Sequence, residues 1–227
     1  VDASLLPIRE DAPADATAEE RAVPRLSQDT DVLVRPAHLK RFLAALKRYG
    51  WIRKSRLYSG GAVEHSVDWW HPELGGVDVH VRFPGIRVKP DRAFTALWRE
   101  RQTRGIADRP CPVPSLDAQR LLLLLHAARN GGPASADVGP CWTNASPAER
   151  MQVKELAASL GAEVALAGAT GHLNEYLDCP EYNLWRLLGQ QDADVFELWL
   201  AFVKAAPTPL DRFRAILYAV RVKADRV

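Results

Sequence analysis

Hydrophobic and polar positions change their period partway along this chain. The apolar run Val32-Leu33-Val34 predicts a short strand, and apolar residues then recur at helical spacing up to Gly50, with Pro36 suited to the first helical position. Residues 77–83 alternate strictly between apolar and polar, which is typical of a strand with one buried face. From Asp91 onward the period is helical. The pattern therefore predicts a strand, helix, strand beginning followed by helices.

Turn and capping residues set the bounds of these elements. Gly60-Gly61 separates two strand candidates at residues 51–58 and 63–70, and Ser115 and Ser146 are suited to cap helices. Helices are predicted at about 94–105, 116–130, 147–161, 163–177, 181–189, 192–206 and 209–223. The expected fold class is α+β: a small mixed or antiparallel sheet with flanking helices in residues 1–90, and an all-helical half in residues 91–227.

The composition narrows the class of protein. The 227 residues are 47% hydrophobic, enough for a substantial core, and no apolar run approaches the length of a membrane helix. The first twenty residues are acidic and contain Pro7 and Pro13, unlike a signal peptide. Three widely separated cysteines suggest neither a zinc site nor a disulfide framework. We therefore expect a cytoplasmic protein with no membrane partner.

Charge is unevenly distributed along the N-terminal half. The formal net charge is only +2, which argues against a general nucleic-acid binder. Residues 1–20 carry six acidic side chains and one base, whereas residues 35–58 carry eight lysines and arginines and no acid. This basic block either offers a positive field to phosphates or is a solvated helix face with a basic loop.

Two aspartates at the entrance to the first strand are the strongest chemical feature. Asp29 and Asp31 are separated by one residue, so strand alternation directs both carboxylates to one face. Magnesium binds oxygen ligands and commonly uses one or two carboxylates together with substrate phosphates. A third carboxylate is typical of two-metal phosphoryl transfer, and Asp78, on the polar face of the alternating strand, is the natural candidate.

Further polar residues lie near Asp78 in sequence. His80 and Arg82 share its predicted face and either contact a phosphate or acceptor group or are solvated. Asp68 competes for the position of the third ligand, but the tryptophans beside it do not alternate cleanly with polar residues, so we favour Asp78. His126 is interpreted as a core or helix-end histidine.

The chain resembles the DNA polymerase β-like nucleotidyltransferase superfamily in three successive segments. These are the motif Arg25-x-Ser27-x-Asp29-x-Asp31-Val-Leu-Val, a helix that ends in Tyr49-Gly50-Trp51, and the strand segment Val-Asp78-Val-His80. It is most similar to an uncharacterised bacterial nucleotidyltransferase group, over about residues 20–130. The resemblance implies that residues 1–90 form the nucleotidyltransferase-like domain. It also implies that Asp29, Asp31 and Asp78 are catalytic ligands of Mg²⁺ or Mn²⁺, that Asp78 is a possible base, and that the substrate is a nucleoside triphosphate, ATP by preference.

The chain departs from that superfamily in one respect. A Gly-Ser or Gly-Gly turn is expected about ten residues before the first aspartate, where its amides hold the triphosphate, but residues 15–21 contain neither glycine nor serine. Either Arg25, Ser27 and the basic block hold the phosphates, or catalysis is lost. Three functions follow: a metal-dependent transferase acting on a hydroxyl, phosphate or protein side chain, a binding or regulatory module, and a toxin-like enzyme acting on tRNA.

Overall fold

The structure is a computed structural model that describes residues 29–54, 66–106, 108–190, 192–213 and 215–216. Within these ranges, residues 209–213 are also helical. The longer elements follow one another in this order: β1 (Asp29–Leu33), α1 (Leu39–Arg48), β2 (Ile52–Arg53), β3 (Ser66–His71), β4 (Gly75–His80), α2 (Pro90–Arg99), β5 (Gln102–Ile106), β6 (Arg109–Val113), α3 (Leu116–Arg129), α4 (Pro147–Leu160), α5 (Glu163–Thr170), α6 (Tyr182–Leu188) and α7 (Val195–Ala205).

The N-terminal elements form a four-stranded mixed sheet with the order β1-β4-β3-β2. β1 lies parallel to β4, while β3 is antiparallel to both β4 and β2. Helix α1 provides the connection after β1, because a parallel pair cannot be joined by a tight hairpin. The polar residues of β1 and β4 therefore lie side by side at the centre and one edge of the sheet.

One face of this sheet is apolar and is covered by α1. Val67, Val77 and Val79 are buried there, and they pack with the inward residues of the helix, Leu39, Phe42, Leu43 and Leu46. Alternation along β4 then requires Asp78 and His80 to lie on the opposite face. The sequence pattern thus determines which face of the sheet carries the chemistry.

A larger core is formed by the helices around α3. Leu121, Leu124 and Leu125 are almost completely buried, and α3 packs against α4, α5 and α6. Leu33 from β1 and Phe83, which follows β4, also pack against this core. The polar face of the sheet is consequently held against the helical half at the end where Leu33 and His80 lie.

A buried arginine joins α3 to α4. The side chain of Arg120 is 1% exposed and donates hydrogen bonds to Glu149 Oε1 at 2.5 Å and Asp117 Oδ1 at 3.4 Å. Glu149 also accepts from the backbone amide of Ser146 and completes the capping box of α4. A buried charge is tolerated only when it is paired and hydrogen-bonded, and Arg120 meets this condition at the junction of the two helices.

The predicted α+β class is confirmed, and so are the predicted starts of α3, α4 and α5. The helix predicted to end near Gly105 instead ends at Arg99, and β5 follows it. Ser115 accepts from the amide of Ala118 at the start of α3, and Ser146 accepts from the amide of Glu149 at the start of α4. The helix predicted at 163–177 is shorter: α5 ends at Thr170 before Gly171, which has a φ of 80°, and a 3₁₀ turn follows at Leu173–Tyr176. The strand turn predicted at Gly60-Gly61 lies outside the described residues.

Two details of the predicted architecture are wrong. The C-terminal half is not all helical, because β5 and β6 form an antiparallel hairpin between α2 and α3. Pro110 and Pro112 lack the amide hydrogens that a helix needs, and both are tolerated on an edge strand. The alternating strand also ends at His80 rather than Phe83, so Phe83 turns and packs beside His80.

Across the described part of the chain, we find no helix with the length and apolar character needed to cross a bilayer. The longest helices, α3 and α4, have 14 residues each. About 20 apolar residues are needed for a membrane-spanning helix.

Candidate active site

Three aspartates form a row across the polar face of the sheet. Asp31 in β1 is the register partner of Asp78 in β4, and Asp78 is in turn the partner of Asp68 in β3. Residues paired in this way lie on one face with their Cβ atoms about 5 Å apart. The row therefore brings Asp31 next to carboxylates that lie 37 and 47 residues further along the sequence.

Asp31 and Asp78 form a tighter cluster with His80. Each residue offers a ligand atom, and these atoms all lie within 4.8 Å of one another. Both aspartates are half-buried and His80 is buried. Among the described residues, this is the arrangement of acidic and histidine side chains that is close enough to hold a metal ion.

His80 serves as the hydrogen-bond partner of Asp31. Its Nε2 lies 2.5 Å from Asp31 Oδ1, and its side chain is 5% exposed, against 47% for Asp31. The ring of Phe83 stacks on the imidazole with 4.7 Å between centroids. Because Phe83 and the helical core cover it, His80 is not solvated, and it fixes the orientation of the Asp31 carboxylate.

Beyond Asp68, the row ends in a lysine and a tryptophan. The amide of Lys54 donates to the carbonyl of Asp68 at 2.8 Å, and Lys54 Nζ lies 5.0 Å from the centre of the Trp70 ring. Trp70 is 38% exposed. The side of Asp78 that faces away from Asp31 thus carries a carboxylate, a cation and an accessible aromatic ring.

The remaining residues predicted for the site have different placements. Asp29 is described by its backbone alone, which pairs with Gly76 two positions before Asp31. Arg25 and Ser27 lie outside the described residues. Arg82 is exposed in the bend that follows β4, beyond the strand on which it was predicted.

The basic residues of α1 lie on the other side of the sheet from the carboxylates. Helix α1 packs on the face formed by Val67, Val77 and Val79, with its lysines and arginines exposed to solvent. These are Lys40, Arg41, Lys47 and Arg48. The sheet itself separates this part of the basic block from Asp31 and Asp78.

A family profile described as "Uncharacterised nucleotidyltransferase" matches residues 18–178, which is more than half of the chain and includes all of the residues above. The chain belongs to this family. The resemblance drawn from Asp29, Asp31 and Asp78 is thereby confirmed at the level of the superfamily, and the protein is a nucleotidyltransferase.

Other comparisons add little to this assignment. A search of curated proteins finds no match. Among solved structures, the chain is similar to the lincosamide antibiotic adenylyltransferase LnuA with lincomycin bound, with 17% identity over 60% of this chain and 75% of that one and a TM-score of 0.31. Such a low score assigns neither a substrate nor an acceptor to this nucleotidyltransferase.

The donor atoms of the cluster suit a hard divalent cation. Carboxylate oxygens are the ligands that Mg²⁺ and Mn²⁺ prefer, and Asp31 and Asp78 supply them on adjacent strands. The imidazole of His80 is engaged by Asp31, as is usual for a residue that orients a carboxylate ligand. In this nucleotidyltransferase, the two aspartates would hold the metal and His80 would support them.

The ionisation of Asp31 reflects this environment. Burial by itself raises the pKa of Asp31, but the hydrogen bond and the charge of His80 outweigh it, and the pKa is lowered from its ordinary value of 3.8. A carboxyl whose pKa is lower in the folded than in the unfolded protein stabilises the fold. The full contribution is present at pH values above the unfolded-state pKa. That stability is lost as the pH falls through the lower folded value.

We therefore expect the metal-free protein to lose stability as the pH falls from about 5 to about 3, with part of that loss due to Asp31. Urea unfolding midpoints measured across this range in the presence of a chelator test the expectation. Asp31→Asn should have a flatter pH profile than the wild type, while Asp68→Asn serves as the matched control on the same row. Parallel profiles for Asp31→Asn and the wild type would contradict the lowered pKa.

Proposed function

We propose that this protein is a Mg²⁺-dependent nucleotidyltransferase that moves a nucleoside monophosphate from a nucleoside triphosphate, ATP by preference, to an acceptor group. The acceptor is a hydroxyl, a phosphate or a protein side chain. The observation that carries the proposal is the cluster of Asp31, Asp78 and His80 on adjacent strands of a sheet in a member of a nucleotidyltransferase family.

The two carboxylates have distinct positions with respect to the reaction. Asp31 is fixed by His80 and lies on the edge strand β1, two positions after Asp29. Asp78 lies at the centre of the sheet between Asp31 and Asp68. We assign all three of Asp29, Asp31 and Asp78 to metal binding, with Asp29 and Asp31 on the side of the triphosphate and Asp78 on the side from which the acceptor approaches.

A bound divalent metal would supply neutralising charge at the phosphates and lower the barrier to attack at the α-phosphorus. The chain's own contribution is orientation. His80 holds the Asp31 carboxylate in one direction, and the stacked ring of Phe83 holds the buried imidazole in place. Preorganised charges of this kind need no rearrangement when the transition state forms.

A small-molecule or protein acceptor fits the charge distribution better than tRNA. The basic side chains of α1 are exposed on the side of the sheet opposite the carboxylates, so an RNA backbone bound there would not lead into the site. On the side of Asp78 away from Asp31, the sheet instead offers Asp68, Lys54 and the exposed ring of Trp70. None of the three cysteines, all of which the structure describes, forms a disulfide, and this agrees with the proposed cytoplasmic setting.

The test is a transfer assay. The protein is incubated with each α-labelled nucleoside triphosphate, Mg²⁺ or Mn²⁺, and panels of hydroxyl-bearing small molecules, proteins and tRNA. We expect label transfer that requires the metal and is strongest with ATP. If no acceptor is labelled and the protein binds nucleotide equally well with and without metal, the proposal is wrong. The protein would then be a binding or regulatory module.

A further inference from the structure

The hairpin formed by β5 and β6 has two edges of different chemistry. In its antiparallel register, Pro110 and Pro112 of β6 lie opposite Gly105 and Thr103 of β5. Proline has no amide hydrogen, so neither proline can belong to a residue pair that exchanges two N–H···O=C bonds. These two pairs are therefore the non-hydrogen-bonded pairs of the ladder, and the residues that alternate with them form its hydrogen bonds.

The outer edge of β5 consequently presents backbone donors and acceptors. The N–H and C=O groups of one strand residue point to the same side, and for Thr103 and Gly105 that side is away from β6. Among the described residues, β5 pairs with no strand other than β6, and no backbone hydrogen bond outside the hairpin involves these two residues. Both are exposed. Two amides and two carbonyls are thus available to an added strand.

The opposite edge of the hairpin is protected against such pairing. On the outer side of β6, Pro110 and Pro112 offer carbonyls but no amide donors, and proline on an edge strand is a common protection against edge-to-edge association. β5 contains no proline, and a Cβ atom at Gly105 would meet nothing within 4 Å. Pairing is therefore blocked at one edge of the hairpin and permitted at the other.

The charge around β5 favours an acidic strand. Residues 99–109 carry four arginines and two acidic residues. One of these arginines, Arg104, lies between Thr103 and Gly105 at the centre of β5 and is half-buried. A residue opposite Arg104 in an added strand would have its Cβ about 4.5 to 5.5 Å away, where opposite charges stabilise the pair and like charges destabilise it.

A second copy of this chain fits the edge less well. The antiparallel register in which Thr103 and Gly105 of both copies exchange all their outward hydrogen bonds has its two-fold axis at Arg104. It would place two arginines directly opposite each other. A glutamate or aspartate of a different partner would form an opposite-charge pair at the same position.

We propose that the outer edge of β5 binds an extended, acidic segment of a partner protein as an additional strand. The backbone groups of Thr103 and Gly105 provide the hydrogen bonds, and Arg104 selects an acidic side chain opposite it. The hairpin is a sheet of its own, separate from the sheet that carries the aspartates. Binding at this edge therefore does not require the proposed nucleotide transfer.

The test is fluorescence anisotropy of the full chain with a labelled peptide of alternating threonine and glutamate. A peptide with lysine in place of glutamate is its control, and we expect it to bind at least about tenfold more weakly. Thr103→Pro removes an outward amide but none of the ladder bonds to β6, so it should weaken binding of the glutamate peptide about tenfold. Thr103→Val keeps the amide and should bind like the wild type, and Arg104→Glu should prefer the lysine peptide.

Equal binding of the two peptides, or equal binding by Thr103→Pro and the wild type, would overturn the inference. Thermal unfolding of Thr103→Pro checks that the variant is folded, and amide exchange followed by NMR provides a readout on the wild type alone. The amides of Thr103 and Gly105 should exchange rapidly in the free protein and slowly with the glutamate peptide. Slow exchange in the free protein would contradict the inference: it would assign the edge to a second copy if dilution abolishes it, and to another segment of the same chain if dilution does not.

Discussion

Replacing Asp31 with asparagine should lower nucleotide transfer by about a thousandfold. The substitution removes one of the two described carboxylates of the cluster and replaces the partner of His80 with a neutral amide. Direct ligation of a catalytic metal is worth several kcal/mol of transition-state stabilisation, and each 1.36 kcal/mol is tenfold in rate. The expected loss lies mainly in kcat, measured by label transfer at saturating nucleotide.

Asp68→Asn is the matched control for this substitution. Asp68 pairs with Asp78 from the other side of the row, but it is not part of the cluster that Asp31, Asp78 and His80 form. Its replacement should change transfer by less than about tenfold. Equal losses of transfer in the two variants would mean that the carboxylates act only through their summed charge. Near-normal transfer by Asp31→Asn would show that Asp31 is not a ligand of the metal.

The largest stability effect should come from Gly85→Ala. Gly85 has a φ of 88° in the turn that follows β4, where it packs into the helical core. A Cβ atom there would lie 2.8 Å from Ala165 Cβ and 3.0 Å from Leu125 Cδ2. The left-handed backbone costs an L-residue about 1 to 2 kcal/mol, and overpacking adds about 1 to 3 kcal/mol.

The sum corresponds to a fall in Tm of about 4 to 20 °C for a chain of this size. Thermal unfolding of Gly85→Ala and of Gly75→Ala separates the two contributions. Gly75 has a φ of 82°, but a Cβ atom there would meet nothing within 4 Å, so its replacement carries the backbone cost alone. Equal shifts in the two variants would mean that the turn at Gly85 does not pack tightly between α3 and α5.

The placement of Asp31 and Asp78 could be predicted because it depends on local alternation. A period of two assigns each residue of a strand to a face, and the apolar residues around Asp78 are enough to identify the polar face. The pairing of β1 with β4, which makes the two aspartates neighbours, did not follow from the pattern, because alternation assigns faces and not strand order. Helix capping also depends only on neighbouring residues, and so the starts of α3 and α4 were predicted well.

Features that depend on tertiary packing could not be predicted in this way. His80 is buried because β4 ends there and Phe83 turns back onto its ring, and alternation alone would have continued the strand. His126 was interpreted as a core or helix-end histidine, which describes its position in the last turn of α3 but not its contacts with Asn130 and Asp137. The hairpin formed by β5 and β6 was missed because its residues lie between two strongly helical segments.

The most direct test of the central claim is calorimetric titration of a non-hydrolysable ATP analogue into the protein, with Mg²⁺ and with a chelator. The claim is that Asp31 and Asp78 form a metal-dependent nucleotide site. Binding should be detected with Mg²⁺ and should weaken at least about tenfold in the chelator and in Asp78→Asn. Binding of equal strength in all three conditions would contradict a metal site built on these two carboxylates.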